Sequence, residues 1–194
     1  MDLALDLSTG IGQRRAVTAR PEAGLSEDAG LVSAAREGVA AAFERLYDRY
    51  AGMVHGILLA RVPRREVEDL VQEVFLTVYR RIRTLRDVNA FGAWLAMIAR
   101  NRATDYHRRT PETEELPLHL TGTDSSETEA NVILDVIRSL PEAYREPLIL
   151  RLVEGLTGPE IAARTGLTPG SVRVNLHRGM TQLRERLGRR ETHG

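Results

Sequence analysis

The sequence predicts an all-α protein made of two small helical domains joined by a flexible acidic linker. Apolar residues recur at intervals of three and four along most of the chain, which is the period of an amphipathic helix, and no segment sustains a period of two. Residues 110–130 contain six acidic residues and no arginine or lysine, and they separate two apolar-patterned blocks. The second block contains two capped helices around a glycine turn.

Charge is balanced over the whole chain but segregated along it. The 194 residues include 27 arginines and no lysine, matched by 27 aspartates and glutamates. Residues 31–109 are net positive by five and residues 131–194 by three, whereas residues 110–130 are net negative by six. A segment with so much charge and so few apolar side chains cannot bury a core, and we expect it to be disordered.

Composition and spacing exclude several classes of protein. Because there is no cysteine, the chain forms no disulfide, no cysteine-ligated zinc or iron–sulfur site and no catalytic thiol. The five histidines form no Glu-x-x-His or His-x-x-x-His pair, and no Gly-x-Ser-x-Gly elbow is present. No apolar run is long enough to span a membrane, and the first residues lack the basic-then-apolar pattern of a signal peptide. We expect a cytoplasmic protein that is not an enzyme, with no catalytic residue, no cofactor and no metal.

The first block is predicted to be a four-helix domain, residues 26–109, preceded by a flexible N-terminal arm, residues 1–25. Ser26 is followed by two acidic residues and is a suitable helix start, and Gly38 is a suitable helix end. The apolar periodicity predicts helices over about 26–38, 39–60, 64–82 and 88–109.

The third and fourth helices of this block carry the residues of most interest. Asp69, Gln72 and Glu73 share one polar face of the third helix, because positions three and four apart face the same way. Taken alone, such residues indicate an ordinary solvated face. On the fourth helix, the spacing of Phe91 and Trp94 predicts core residues rather than a stacking platform for unpaired bases.

The second block, residues 131–190, is predicted to contain a helix-turn-helix after a helix over about 141–155. Thr157 and Glu160 match a capping box at the start of the first helix of the motif. Gly166 supplies the positive φ that a tight turn between two helices needs. Two short helices around such a turn are typical of DNA-binding proteins.

The second helix of the motif begins after Thr168, with Pro169 at its first position. Its outward side is basic and is formed by Gly170, Arg173, Val174, His177 and Arg178. A recognition helix reads base edges with its N-terminal residues while basic neighbours hold phosphates. A solvated charged face is the alternative, but the two caps and the glycine turn favour DNA binding.

Together these features resemble a group IV (extracytoplasmic-function, ECF) sigma factor of bacterial RNA polymerase, of the sigma-70 family. The resemblance depends on five stretches: residues 69–75, residues 91–101, Asp105 with Arg108 and Arg109, residues 140–145, and residues 171–178. Each stretch alone is weak evidence for the family, but the order of the five stretches and the intervals between them are specific to it. The resemblance implies that residues 26–109 are sigma domain 2, residues 110–130 the linker and residues 131–190 sigma domain 4.

The resemblance also implies partners and binding residues. Domain 2 would dock on the coiled coil of the polymerase β′ subunit through Asp69, Gln72 and Glu73. It would open the −10 promoter element with Arg100, Asn101, Asp105, Arg108 and Arg109. Domain 4 would bind the β flap and read the −35 element with Ser171, Arg173, Val174, His177 and Arg178. An anti-sigma protein is a further implied partner, and no direct membrane insertion is implied.

Two other interpretations of the sequence stay open. The chain could be a free-standing helix-turn-helix regulator whose first domain senses a ligand or a partner. It could also be a metal-dependent helical enzyme that uses Glu66, Asp69 and Glu73, although the histidine spacing gives that reading no support.

Overall fold

A computed structural model describes residues 21–110 and 125–191, and within those residues the chain is helical and contains no β-strand. The eight α-helices are α1 Pro21–Arg36, α2 Ala40–Leu59, α3 Arg64–Arg81, α4 Phe91–Arg109, α5 Ser125–Arg138, α6 Glu142–Leu152, α7 Gly158–Thr165 and α8 Pro169–Glu191. The all-α prediction is confirmed. Most of the predicted N-terminal arm and residues 111–124 of the predicted linker lie outside the described residues.

Two helix starts in the first half differ from the sequence prediction. Helix α1 begins at Pro21, five residues before the predicted start at Ser26, because proline is well tolerated in the first turn of a helix. Helix α4 begins at Phe91 rather than at residue 88, because Val88–Ala90 form a 3-10 turn. The Asp87 side chain accepts a hydrogen bond from the Asn89 backbone N–H and so caps that turn.

Helix α5 begins inside the segment predicted to be a linker. Its residues 125–130 are helical, whereas the acidic composition of this stretch predicts disorder. The reason lies further along the same helix, where Val136 and Ile137 are buried against the second half of the protein. Burial of the apolar end stabilises the whole helix, including an acidic first turn that suits the positive end of the helix dipole.

The first half of the protein, α1–α4, packs around a core in which Tyr50 is buried at the centre. Its ring meets Phe91 edge to face, with centroids 5.2 Å apart. Its hydroxyl donates a hydrogen bond of 2.7 Å to the buried carboxylate of Asp28, which also pairs with Arg49. Burial and this hydrogen bond raise the pKa of Tyr50, so the phenol stays protonated at physiological pH. Trp94 is only half-buried, at the edge of the core rather than inside it.

The second half, α5–α8, contains the predicted helix-turn-helix, formed by α7 and α8. Gly166 ends α7 with φ of +75°. The close approach of α8 to α6 depends on Gly179, where a Cβ would lie 3.0 Å from Leu148 and 3.1 Å from Tyr144. The predicted apolar side of α8 packs on the core, with Val172 and Leu183 buried. The helix-turn-helix prediction is confirmed.

The two halves are packed against each other along a surface that we call the seam, formed by α2 against α6 and by α4 against α7. Small residues allow the close contact. A Cβ on Gly56 would lie 2.7 Å from the Leu150 side chain, and one on Gly92 would lie 2.7 Å from the carbonyl oxygen of Arg164. The buried apolar residues of both halves form one continuous cluster across the seam.

None of the helices in the described ranges is both long and apolar enough to cross a membrane.

Candidate nucleic-acid interface

The N-terminal half of α8 presents an exposed basic surface. Arg173, Val174, His177 and Arg178 are all exposed, and Ser171 is half-buried beside them. Among residues 21–110 and 125–191, neither Arg173 nor Arg178 forms an ion pair. Unpaired guanidinium groups on an exposed recognition helix are available for phosphates and for base edges.

Local hydrogen bonds fix the orientation of this surface. The Thr157 hydroxyl accepts from the Glu160 backbone N–H, and the Glu160 carboxylate accepts from the Thr157 backbone N–H, which completes the capping box. Burial acts to raise the pKa of Glu160, but the hydrogen bonds from Thr157 and the nearby Arg164 and Arg151 outweigh it, so its pKa is lowered. At the start of α8, the Thr168 hydroxyl accepts from the Ser171 backbone N–H at 3.1 Å.

The C-terminal half of α4 presents a second polar surface. Asn101, Arg108 and Arg109 are exposed, and Asp105 lies on the same side of the helix because it is four residues from Asn101 and from Arg109. Asp105 and Arg108 form an ion pair of 3.0 Å. The surface therefore combines an amide, which can pair with a base edge, with cations that can neutralise phosphates.

Arg100 is separated from the other four candidates on α4. Its side chain turns into the seam and forms a two-pronged ion pair with Glu146 of α6, with Nη2 to Oε1 at 2.6 Å and Nε to Oε2 at 3.1 Å. Arg61, just after α2, pairs with the same carboxylate at 2.8 Å. Glu146 is 3% exposed, so two guanidinium groups of the first half enclose one carboxylate of the second.

Neither Glu146 nor Arg61 is among the site residues predicted from the sequence. One signal was present for Glu146, which stands directly before the apolar run Pro147–Leu150, where all the residues are buried. If such a residue is buried together with the run, its carboxylate needs a cation as a partner. No sequence pattern identifies that cation, because Arg61 and Arg100 lie 85 and 46 residues away from it along the chain.

A third surface lies on α3. Asp69, Gln72 and Glu73 are exposed on one side of that helix, as the spacing predicts. Glu73 forms an ion pair with Arg102 of α4, which holds its carboxylate in place. Next to them, Leu76 and Tyr79 are 48% and 63% exposed, so apolar side chains extend the acidic surface along the helix.

No group of three or more His, Cys, Asp or Glu side chains that could hold a metal ion occurs in the described part of the chain.

A helical bundle followed by a helix-turn-helix, with exposed arginines on α4 and α8, is the architecture of a DNA-binding protein with two parts. Residues 46–112 match the family described as Sigma-70 region 2, and residues 130–183 match Sigma-70 region 4. The chain is 32% identical to the ECF RNA polymerase sigma-E factor of Haemophilus influenzae, covering 82% of this chain and 95% of that protein. It is 37% identical to the RNA polymerase sigma factor CarQ of Myxococcus xanthus, covering 80% and 95%.

The chain belongs to the ECF sigma factors of RNA polymerase, and it acts in promoter-specific transcription initiation. Among solved structures, it shares its fold with CnrH in the structure of CnrH in complex with the cytosolic domain of CnrY. The TM-score is 0.61 at 24% identity, with 83% of this chain and 97% of that chain covered. The predicted family and the predicted function are confirmed, and they argue against the free-standing regulator.

Proposed function

We propose that this protein binds core RNA polymerase through Asp69, Gln72 and Glu73 on α3 and reads promoter DNA through α4 and α8. One observation carries the proposal: an exposed acidic surface and two exposed basic surfaces lie on separate helices of one chain. Surfaces of opposite charge on separate helices suit two different partners. Charge complementarity then sets how fast each partner is found and in which orientation it binds.

The acidic surface on α3 is the proposed contact for the coiled coil of the β′ subunit. Asp69 and Gln72 are exposed, and Glu73 is held by its ion pair with Arg102. Exposed Leu76 and Tyr79 add apolar area to the same surface. An interface of this kind, with charged groups beside apolar ones, is typical of specific helix–helix docking.

The basic surface on α8 is the proposed reader of the −35 element, with Ser171, Arg173, Val174, His177 and Arg178 as its contacts. What supports this is the exposure of four of these five side chains at the N-terminal end of a capped recognition helix. Arginine pairs with the edge of guanine in the major groove or with a phosphate, and a short apolar side chain such as Val174 can meet a thymine methyl group.

The polar end of α4 is the proposed contact for the −10 element, with Asn101 as the base-pairing residue. Arg108 and Arg109 would neutralise phosphates, while Asp105 orients Arg108 through their ion pair. We include Arg100 among these contacts, although it is paired with Glu146 in this conformation.

The domain bounds that we propose are residues 26–109 for sigma domain 2 and residues 131–190 for sigma domain 4. The β flap is the proposed polymerase contact of domain 4. We also propose that the protein acts in the cytoplasm, without a cofactor and without enzymatic activity of its own.

An anti-sigma protein is a further proposed partner. Between α7 and α8 there is an apolar groove of about 600 Å³, lined by Ala162, Leu167, Val172 and Leu176 among others. Exposed apolar grooves of this kind are suited to a helix or segment of another protein.

Gel filtration with core RNA polymerase tests the proposal. We expect the protein to migrate with core enzyme, and we expect Asp69→Asn combined with Gln72→Ala to abolish this. Glu44→Gln, a change of one exposed acidic residue on α2, serves as the control and should leave binding unchanged. If neither variant loses binding, the contact with core enzyme lies elsewhere on the protein. If the protein binds duplex DNA but has no affinity for core enzyme, the free-standing regulator is favoured.

A further inference from the structure

We propose that Glu146 acts as an internal lock: it holds the two halves together by occupying Arg61 and Arg100, and the −10 strand must displace it from Arg100. This inference rests on the proposed function of Arg100 as a −10 contact. The lock makes the conformation described here a closed form, in which the protein is not yet ready to hold melted promoter DNA.

Arg61 and Arg100 bind the Glu146 carboxylate in the way that guanidinium groups bind a phosphate. Both of its oxygens are used, Oε1 by Arg100 Nη2 at 2.6 Å and Oε2 by Arg61 Nη1 at 2.8 Å. Guanidinium groups bind carboxylates and phosphates in the same two-pronged manner. A phosphate of the −10 strand would therefore compete with Glu146 for the same donors.

All of the ion-pair partners that Glu146 has among the described residues come from the other half of the protein. Arg61 follows α2 and Arg100 lies on α4, whereas Glu146 is on α6. Removal of any one partner would leave buried charge without compensation, which is strongly unfavourable. The closed form therefore depends on Glu146 and on both arginines. When the halves separate, all three groups return to water. Desolvation offsets much of the attraction in such a pair, which keeps the lock reversible.

The rest of the seam gives the closed form a defined geometry. The backbone of α4 touches that of α7, since a Cβ on Gly92 would lie 2.7 Å from the carbonyl oxygen of Arg164. Arg138 of α5 donates to the carbonyl oxygens of Leu59 and Val62 at the end of α2, at 2.7–3.2 Å. Each of these contacts joins the two halves, so the ion pair at Glu146 sits within a fitted surface rather than at an isolated point.

The closed form affects the two DNA surfaces differently. On α8, Arg173 and Arg178 stay exposed, so the proposed −35 surface is accessible. On α4, Arg100 is turned away from Asn101 and occupied by Glu146. A cleft of about 350 Å³ beside the pair, lined by Glu142 among others, gives a competing anion a route to Arg100. The closed form should therefore bind −35 duplex while binding single-stranded −10 DNA poorly.

Energy transfer between two dyes measures the separation of the halves. The chain has no cysteine, so Glu44→Cys on α2 and Thr181→Cys on α8, both at exposed positions, create a labelled pair in the full-length protein. In this background Glu146→Gln keeps the shape of the side chain but removes the carboxylate that both guanidinium groups share, which leaves Arg61 only the longer contact of 3.8 Å with Glu142. We expect lower transfer efficiency. Asp135→Asn, at an exposed acidic position of α5 that does not line this cleft, is the control and should leave transfer unchanged.

Binding of a dye-labelled, mixed-sequence single-stranded 12-mer measures the consequence for DNA. Glu146→Gln and Arg61→Gln should each tighten binding at least threefold relative to wild type, and the control Asp135→Asn should not. For Arg61→Gln, the direction of the change in affinity separates two roles of Arg61. Binding becomes tighter if Arg61 is part of the lock, and it becomes weaker if Arg61 contacts DNA, because a positive charge is then lost from the interface. Circular dichroism of each variant checks that the helices are retained, and Arg61→Gln carries the test if Glu146→Gln fails to fold.

Unchanged transfer efficiency in Glu146→Gln, or weaker strand binding in both Glu146→Gln and Arg61→Gln, would overturn the lock. Such a result would leave the proposed function intact as long as wild-type protein still migrates with core RNA polymerase. A wild-type protein that does not bind core enzyme would instead contradict the proposed function, whatever the dyes report.

Discussion

His55 on α2 and Glu154, which follows α6, are joined across the seam by a hydrogen bond of 2.6 Å between Nδ1 and Oε1. The hydrogen bond from Glu154 raises the pKa of His55, and it outweighs the opposite effect of burial. Glu68 of α3 raises this pKa further, while Arg64 of the same helix lowers it. The two halves are therefore held by a contact that weakens when the imidazole loses its proton.

The pH dependence of this contact can be predicted in sign. Because the pKa of His55 is raised in the folded protein, its contribution is fully present below the unfolded value of about 6.5. The contribution disappears as the pH rises through the raised folded pKa. Replacing His55 with Gln should therefore lower the melting temperature at pH 6 more than at pH 9. Thermal unfolding followed by circular dichroism measures this, and an equal decrease at both pH values would contradict it.

The turn between α7 and α8 should not tolerate a side chain. Gly166 has φ of +75°, and a Cβ there would lie 2.8 Å from the Cβ of Ala93 on α4. We expect Gly166→Ala to lower the free energy of unfolding by about 1–3 kcal/mol, measured by urea denaturation. Gly30→Ala is the control, because Gly30 lies inside α1 with no atom near its missing Cβ. That variant should be more stable by about 0.5–1 kcal/mol, and a Gly166→Ala variant of wild-type stability would show that the turn has another conformation.

Arg178 is expected to contact a phosphate of the −35 duplex. Arg178→Ala should weaken duplex binding and reduce the slope of log affinity against log salt by about one, because one fewer counterion is released. Fluorescence anisotropy at several salt concentrations measures both quantities. Arg45→Ala removes the same charge from an exposed position on α2 and should change neither. An unaltered salt slope for Arg178→Ala would mean that Arg178 faces solvent in the complex.

Asn101 is expected to act in promoter opening and not in binding to core enzyme. Its side chain is exposed on α4, where it can pair with an unstacked base of the −10 element. Asn101→Ala should leave co-migration with core RNA polymerase unchanged while reducing the permanganate reactivity of thymines around the start site. Glu44→Ala, at an exposed position of α2 outside this surface, is the control. Normal melting by Asn101→Ala would remove this residue from the proposed −10 contacts.

Elements with strong local signals were predicted correctly from the sequence. The capping box at Thr157, the turn at Gly166 and the start of α8 at Pro169 all lie where the sequence places them. Each of these features depends only on residues within four positions along the chain, so the local sequence is enough to predict it. The same holds for the exposed side of α3, since helical spacing alone puts Asp69 and Glu73 on one side.

Features that depend on contacts between the halves could not be predicted in this way. The spacing of Arg100 suggests an exposed cation on α4, but Glu146, 46 residues further along, turns it into the seam. The acidic start of α5 suggests a linker, but burial of Ile137 stabilises the helix that contains it. In both cases the stabilising contact is made with residues that are distant along the chain. Neither periodicity nor composition identifies those residues.

Transcription in vitro from a library of random promoters tests the central claim most directly. Purified core RNA polymerase is supplied with or without this protein, and the transcripts are sequenced. We predict that defined start sites appear only when both components are present, with a shared pair of sequence elements upstream of them. If the protein leaves the start sites of core enzyme unchanged and binds duplex DNA only by itself, it does not act as a sigma factor.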